Sequence, residues 1–123
     1  MLRDATTAVL ERFLDLASVR HQVLSANVAN ADTPGYKAVD FDFQGEMKKA
    51  WEAQTAPGEA RAGDDRSPEL YQVPATNPSA DGNTVSMEVE MAKMSENAML
   101  YGAVSQILAK HLAMVRDAIS SAR

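Results

Sequence analysis

LSANVANADTPGYK, residues 24–37, decides how this chain is read. Asn27 and Asn30 are one helical turn apart, so in a helix they lie on nearly the same side. Ala26, Val28 and Ala29 keep the backbone around them slim. The helix must then stop. Asn30 and Asp32 compete with the backbone for hydrogen bonds, and Pro34 pushes Thr33 out of helical space. Thr33-Pro34-Gly35-Tyr36 suits a type II turn, with proline fixing φ at its second position and glycine supplying φ > 0 at its third. The stretch reads as a helix end shaped to sit against another backbone.

Working outward, the chain divides into three segments. Residues 1–30, the N-terminal helical arm, balance Arg3, Arg12 and Arg20 against Asp4, Glu11 and Asp15. Residues 86–123 balance four cations with four anions. Residues 31–85 hold five cations and ten anions, which is the whole net charge of -5, together with all five prolines. Two near-neutral helical arms therefore flank an acidic, Pro/Gly-rich insert.

The first arm is expected from Asp4, a suitable N-cap, to Asn30, about 40 Å long. Leu10, Phe13, Ala17 and Leu24 form its apolar stripe, which Arg20 interrupts. In the last segment Met87, Met91, Met94, Ala98, Tyr101, Ser105, Leu108, Leu112, Val115 and Ile119 alternate steps of four and three, the pattern of a coiled-coil seam. Ser86 is its expected N-cap. A second row, Leu100, Val104, Ile107 and Met114, flanks the seam, and one partner helix cannot cover both rows. The uncovered remainder marks an interface, so the chain reads as a subunit of something larger. The methionines at 87, 91, 94 and 99 fit a packed core, or a face that repacks against different neighbours.

Within the insert, Val39, Phe41 and Phe43 alternate with Asp40 and Asp42, a half-exposed strand whose two carboxylates face solvent. Gly45–Ala53 suits a brief helix. Residues 55–83 read as a mobile or partner-ordered loop, with Leu70, Tyr71 and Val73 as an apolar cluster. The fold class expected is mainly α: long terminal helices paired as an antiparallel coiled coil, with a short β/loop-rich insert.

Several functions are disfavoured. An acidic chain with pI near 4.9 is a poor nucleic-acid binder. Without cysteine there is no disulfide or thiolate metal site. His21 and His111 stand alone, and no serine elbow or phosphate loop is present, so no catalytic residue, metal site or cofactor is expected. Asp64-Asp65 reads as solvated loop, and Asp81-Gly82-Asn83 as a turn. No cleaved secretory signal is evident, and no stretch is expected to be long enough to insert into a membrane.

Asn27, Asn30, Thr33, Pro34, Gly35 and Tyr36 resemble the N-terminal signature of the bacterial flagellar axial proteins, the rod and hook families. The run Lys37 to Phe43 and the segment Gly82 to Glu88 are similar to the B-type proximal rod proteins of the basal body. Val39 departs from the pattern, where a basic residue often precedes the acid. The resemblance implies a structural subunit of the proximal rod, exported unfolded by the type III apparatus without a cleaved signal peptide. It implies terminal arms that order on self-assembly into the torque-transmitting shaft that serves motility. The implied partners are copies of the chain, adjacent rod proteins, the inner-membrane-ring adaptor and the export apparatus. A different rod or hook subunit is the nearer alternative; a small soluble coiled-coil adaptor or regulator is the more distant one.

Overall fold

The computed structural model describes residues 4–55, 66–75 and 79–122. The chain runs α1 (Ala5–Ala29), β1 (Val39–Phe41), α2 (Phe43–Thr55), β2 (Leu70–Gln72) and α3 (Met87–Ser121). It is mainly helical, with one small two-stranded sheet.

Local chemistry sets the boundaries of these elements. Asp4 caps α1 by accepting from the Thr7 backbone N–H at 2.7 Å. The Asn30 backbone N–H closes the other end onto the carbonyls of Ala26 and Asn27. Asp42 starts α2: its side chain accepts from the Gly45 N–H at 3.0 Å, and its carbonyl accepts from the Glu46 N–H. Ser86 occupies the N-cap of α3 but makes no side-chain capping bond there. Glu88 and Glu90 in the first turn complement the helix dipole instead.

The core lies where α1, β1 and α2 meet. Leu16, Ala17 and Leu24 of α1 are fully buried, with Ala38, Phe41 and Ala50 closing over them. Phe13 meets Phe43 edge-on at 4.9 Å between ring centroids, and Phe43 stacks with Phe41 at 6.1 Å. Each buried leucine contributes about 2 kcal/mol by leaving water. β1 and β2 pair antiparallel, Val39 with Gln72, Asp40 with Tyr71 and Phe41 with Leu70.

α3 lies along α1. Glu90 meets Asn27, Asn97 meets Ala17, and His111 meets Asp4, so chain direction reverses between the two helices. The face of α3 turned inward overlaps only part of the apolar seam read from the sequence. Glu90 and Asn97 are buried, and Lys93, Met94, Val104, Leu108, His111 and Val115 are half-buried. Met87, Met91, Ala98, Tyr101, Leu112 and Ile119 are exposed. Heptad geometry puts the observed contact row, 90, 97, 104 and 111, about 70° around the helix from the expected seam.

Further expectations change. Asp40 does not face solvent: it is 3 % exposed and accepts from Arg20 (3.2 Å) and Lys93 (3.4 Å). Arg20 interrupts the stripe of α1 because it reaches this carboxylate, which could not be buried unpaired. The strand ends at Phe41, and Phe43 begins a helix longer than the one expected. Finally, α3 is long and apolar enough, by length and composition alone, to cross a membrane. From residue 97 to residue 115 it carries only Lys110 and His111 as charged or titratable groups, a span hidden from a search for unbroken apolar runs. The expected loop of residues 55–83 contains β2. Its residues 56–65 and 76–78, Asp64-Asp65 among them, lie outside the described residues.

Candidate functional site

The motif at residues 24–37 folds into one end of the α1–α3 pair, where β1 and the segment 79–86 also converge. The turn forms as the local sequence dictates. Tyr36 N–H donates to the Thr33 carbonyl at 3.2 Å, and Gly35 takes φ +74 at the third position. Pro34 and Gly35 are exposed, and Tyr36 is half-buried.

Asn27 is fully buried, and its side chain makes four contacts. Its amide Nδ2 donates to the Val39 carbonyl at 2.8 Å and to Glu90 Oε2 at 3.0 Å. Its Oδ1 accepts from the Val39 N–H at 3.0 Å and the Tyr36 hydroxyl at 3.4 Å. One side chain thereby reads both backbone groups of a strand residue and ties α1 to β1 and α3. A neutral side-chain amide suits this site because it sets two N–H donors beside a carbonyl acceptor. Asn30 does different work. Its Nδ2 donates back to the Ala26 carbonyl and its Oδ1 accepts from the Thr33 hydroxyl, so it closes the helix end.

The second strand of this junction was missed in the sequence. Asn83, 4 % exposed, donates through Nδ2 to the carbonyls of Asn30, Ala31 and Thr33 at 2.8–2.9 Å. Those carbonyls lie just past the end of α1, where Asn30 also accepts from the Thr33 N–H and Thr33 from the Tyr36 N–H. Asn83 Oδ1 accepts from the Val85 N–H at 2.8 Å. Around it, Gly35 N–H donates to the Asp81 carbonyl, Thr84 N–H to the Tyr36 carbonyl, and Ala38 N–H to the Thr84 hydroxyl oxygen. Lys37 donates from Nζ to the Gly82 carbonyl. The Ser79 hydroxyl and the Asn83 backbone N–H hold the Asp81 carboxyl below its ordinary range. The turn at residues 33–36 and the segment 79–85 are thus one clasp, and it delivers α3 to α1.

Beyond the clasp the helix-packing candidates separate. On α1, Ala17 and Leu24 are buried and Leu10 and Phe13 half-buried. On α3, Met94, Ser105, Leu108 and Val115 are half-buried, while Met87, Met91, Ala98, Tyr101, Leu112 and Ile119 are exposed. The contacts between the helices include a series of polar rungs. Asn97 Nδ2 donates to the Ala17 carbonyl at 2.9 Å, and His111 Nε2 lies 3.0 Å from Asp4 Oδ2. Beside Asn97 an open groove of about 290 Å³ runs between the helices, lined by Ala17, Ser18, His21, Asn97, Ala98 and Tyr101. The signal for these rungs was present as polar residues, Glu90, Asn97 and His111, spaced by seven and fourteen in an apolar helix.

The outer face of α3 carries the largest exposed apolar side chains: Met99 is 76 % exposed, Met114 69 %, Met91 57 % and Ile107 53 %. Leu100, Tyr101, Leu112 and Ile119 are exposed beside them. Such a face, about 50 Å long, exceeds what isolated soluble chains usually leave open. Among the described residues no group of three or more His, Cys, Asp or Glu could hold a metal ion.

A sequence profile described as "Flagella basal body rod protein" matches residues 14–37, which include the whole motif. Flagellar basal body rod protein FlgB of Escherichia coli (strain K12) is 38% identical over 112 residues, covering 80% of each chain. FlgB of Cereibacter sphaeroides is 40% identical over 116 residues, covering 86% of this chain and 87% of that one. FlgB of Salmonella typhimurium (strain LT2) is 36% identical over 116 residues, with 80% of each chain covered.

Proposed function

This chain belongs to the flagellar basal body rod protein family, and from that premise we propose that it polymerises through α1 and α3 in the proximal rod. It is a structural protein of the flagellar basal body and not an enzyme. The exposed apolar face of α3 carries the proposal, because burying it needs other helices of the same kind. In the assembled rod, α1 and α3 act as an antiparallel coiled coil whose outer stripes pack against copies of the chain and adjacent rod proteins. Close-packed parallel helices resist twisting, which suits a shaft that transmits torque. The motif Asn27, Asn30, Thr33, Pro34, Gly35 and Tyr36 serves assembly by fixing where α3 leaves the clasp.

Export through the type III apparatus without a cleaved signal belongs to the same reading. So do placement of the rod in the periplasm and contact with the inner-membrane-ring adaptor. The apolar length of α3 is used for helix packing rather than for membrane insertion.

Ile107→Asp tests the proposal. Ile107 points outward, so the substituted chain keeps the circular dichroism of the parent. Cells relying on it lose swimming, and the subunit is missing from purified basal bodies. Normal incorporation of Ile107→Asp removes the outer face of α3 from the assembly surface.

A further inference from the structure

The two edges of the small sheet are finished differently. The Val73 N–H donates to the Ala38 carbonyl, so the hydrogen-bonded pairs of the ladder join 38 with 73 and 40 with 71. Val39 and Phe41 therefore turn their backbone groups away from β2, and Leu70 and Gln72 turn theirs away from β1. The β1 edge is closed. Asn27 takes both the N–H and the carbonyl of Val39, and the Asp40 carboxylate takes the Phe41 N–H. On the β2 edge, no hydrogen bond among the described residues reaches the outward groups of Leu70 or Gln72. Leu70 and Tyr71 are each 49 % exposed. No charge or bulge blunts the strand, and Pro68 and Pro74 leave residues 69–73 between them to pair. Beside β2 lies an open groove of about 250 Å³, whose lining includes Asp42, Glu46, Lys49, Glu69, Leu70 and Tyr71. Lys49 is engaged with Glu46 at 3.2 Å, and among the described residues no cation pairs with the exposed Asp42 or Glu69.

We propose that the outer edge of β2 takes a third strand, an extended segment of a neighbouring basal-body protein that carries lysine or arginine. The edge supplies main-chain hydrogen bonds, and the groove selects the side chains. Two strands alone pair weakly in water, and a third stabilises the sheet. Charge decides the occupant. An acidic segment is repelled by Asp42 and Glu69, and an uncharged one leaves both carboxylates without a counter-charge. A second copy of β2 is a poor occupant, because it brings its own Asp42 and Glu69 to the same acidic site. Leu70 and Tyr71 give the aliphatic part of a lysine or arginine an apolar surface to lie on. The site belongs to the insert and makes no use of the outer face of α3. It rests on the rod reading for its setting, and it requires the sheet only as it stands in the assembled rod.

Photo-cross-linking in purified basal bodies tests the edge. The probe is Tyr71→p-benzoylphenylalanine, made in cells that also make the parent chain, so that a few substituted copies suffice. On irradiation its ketone adds across a nearby C–H bond to give a tertiary alcohol, with no other reactant. The expected adduct joins position 71 to a lysine- or arginine-bearing segment of another protein. No adduct, an adduct confined to this chain or its copies, or one to a segment without lysine or arginine overturns the proposal. Absence of the parent chain from the basal bodies overturns the rod reading instead. Two second-site variants then separate backbone pairing from charge. Gln72→Pro deletes an outward N–H and leaves the bonds to β1, so the adduct per incorporated chain falls about tenfold, while Gln72→Thr stays within about twofold. Glu69→Lys leaves the backbone alone and lowers the adduct about fivefold. An undiminished adduct with Gln72→Pro contradicts strand pairing, and one with Glu69→Lys contradicts a basic occupant. Glu69→Lys decides alone if the proline chain is not incorporated.

Discussion

Asn27 ties α1 to β1 and α3. Replacing it with alanine strands the Val39 N–H and carbonyl and the Glu90 carboxylate in a fully buried site. The expected cost is about 3 kcal/mol, seen as a fall of about 10 °C or more in the melting temperature of the free chain. An unchanged melting temperature would mean that water reaches the site. Gly35→Ala is a milder change. No atom lies within 4 Å of the added methyl, so only the φ of +74 is penalised, by about 1 kcal/mol. The measurement is urea unfolding, with a lower midpoint and an unchanged slope. Legibility at this scale follows the distance to the partner. The turn at Thr33–Tyr36 was readable because its chemistry is local. Asp40 was not, because Arg20 and Lys93 lie 20 and 53 residues away in the chain.

Among the elements, α1 and α3 were legible as helices and their mutual face was not. Hydrophobic periodicity identifies a helix, but it assumes that the most apolar row faces inward. In α3 buried hydrogen bonds outweigh that preference, and the observed contact row passes through Glu90, Asn97 and His111. The ends of α1 are also set by polar chemistry. The backbone N–H of Thr7, helped by His111, holds the Asp4 carboxyl at about 2, below its ordinary 3.8. A depressed carboxylate favours the folded form above its ordinary value. That contribution is therefore complete above pH 3.8 and lost as pH falls toward about 2. The Thr7 amide resonance should move across this window as the first turn of α1 frays. A flat Thr7 shift through the same window would show that Asp4 does not cap the helix in solution. Asp40→Ala acts at the junction of α1, β1 and α3. It leaves Arg20 and Lys93 without their carboxylate, at an expected cost of about 3 kcal/mol. Asp40→Asn should recover part of that loss, because the amide oxygen still accepts a hydrogen bond.

At the scale of the whole molecule, the clasp gathers many of the polar contacts at one end, and a long helix leaves that end with much of its greasy side uncovered. The sequence carried this imbalance openly: two apolar rows on α3 and one partner helix to cover them. It did not say which row would stay open, since that depends on bonds to α1 made across the folded chain. The proposed packing in the rod explains the imbalance, because neighbours would supply the missing cover only after assembly. The direct measurement is the thiol accessibility of Ile107→Cys, in a chain that has no other cysteine, compared between the purified subunit and isolated basal bodies. The account predicts rapid maleimide labelling of the free subunit and protection in the basal body. Equal labelling in the two states would contradict it, because the outer face of α3 would then remain wet inside the rod.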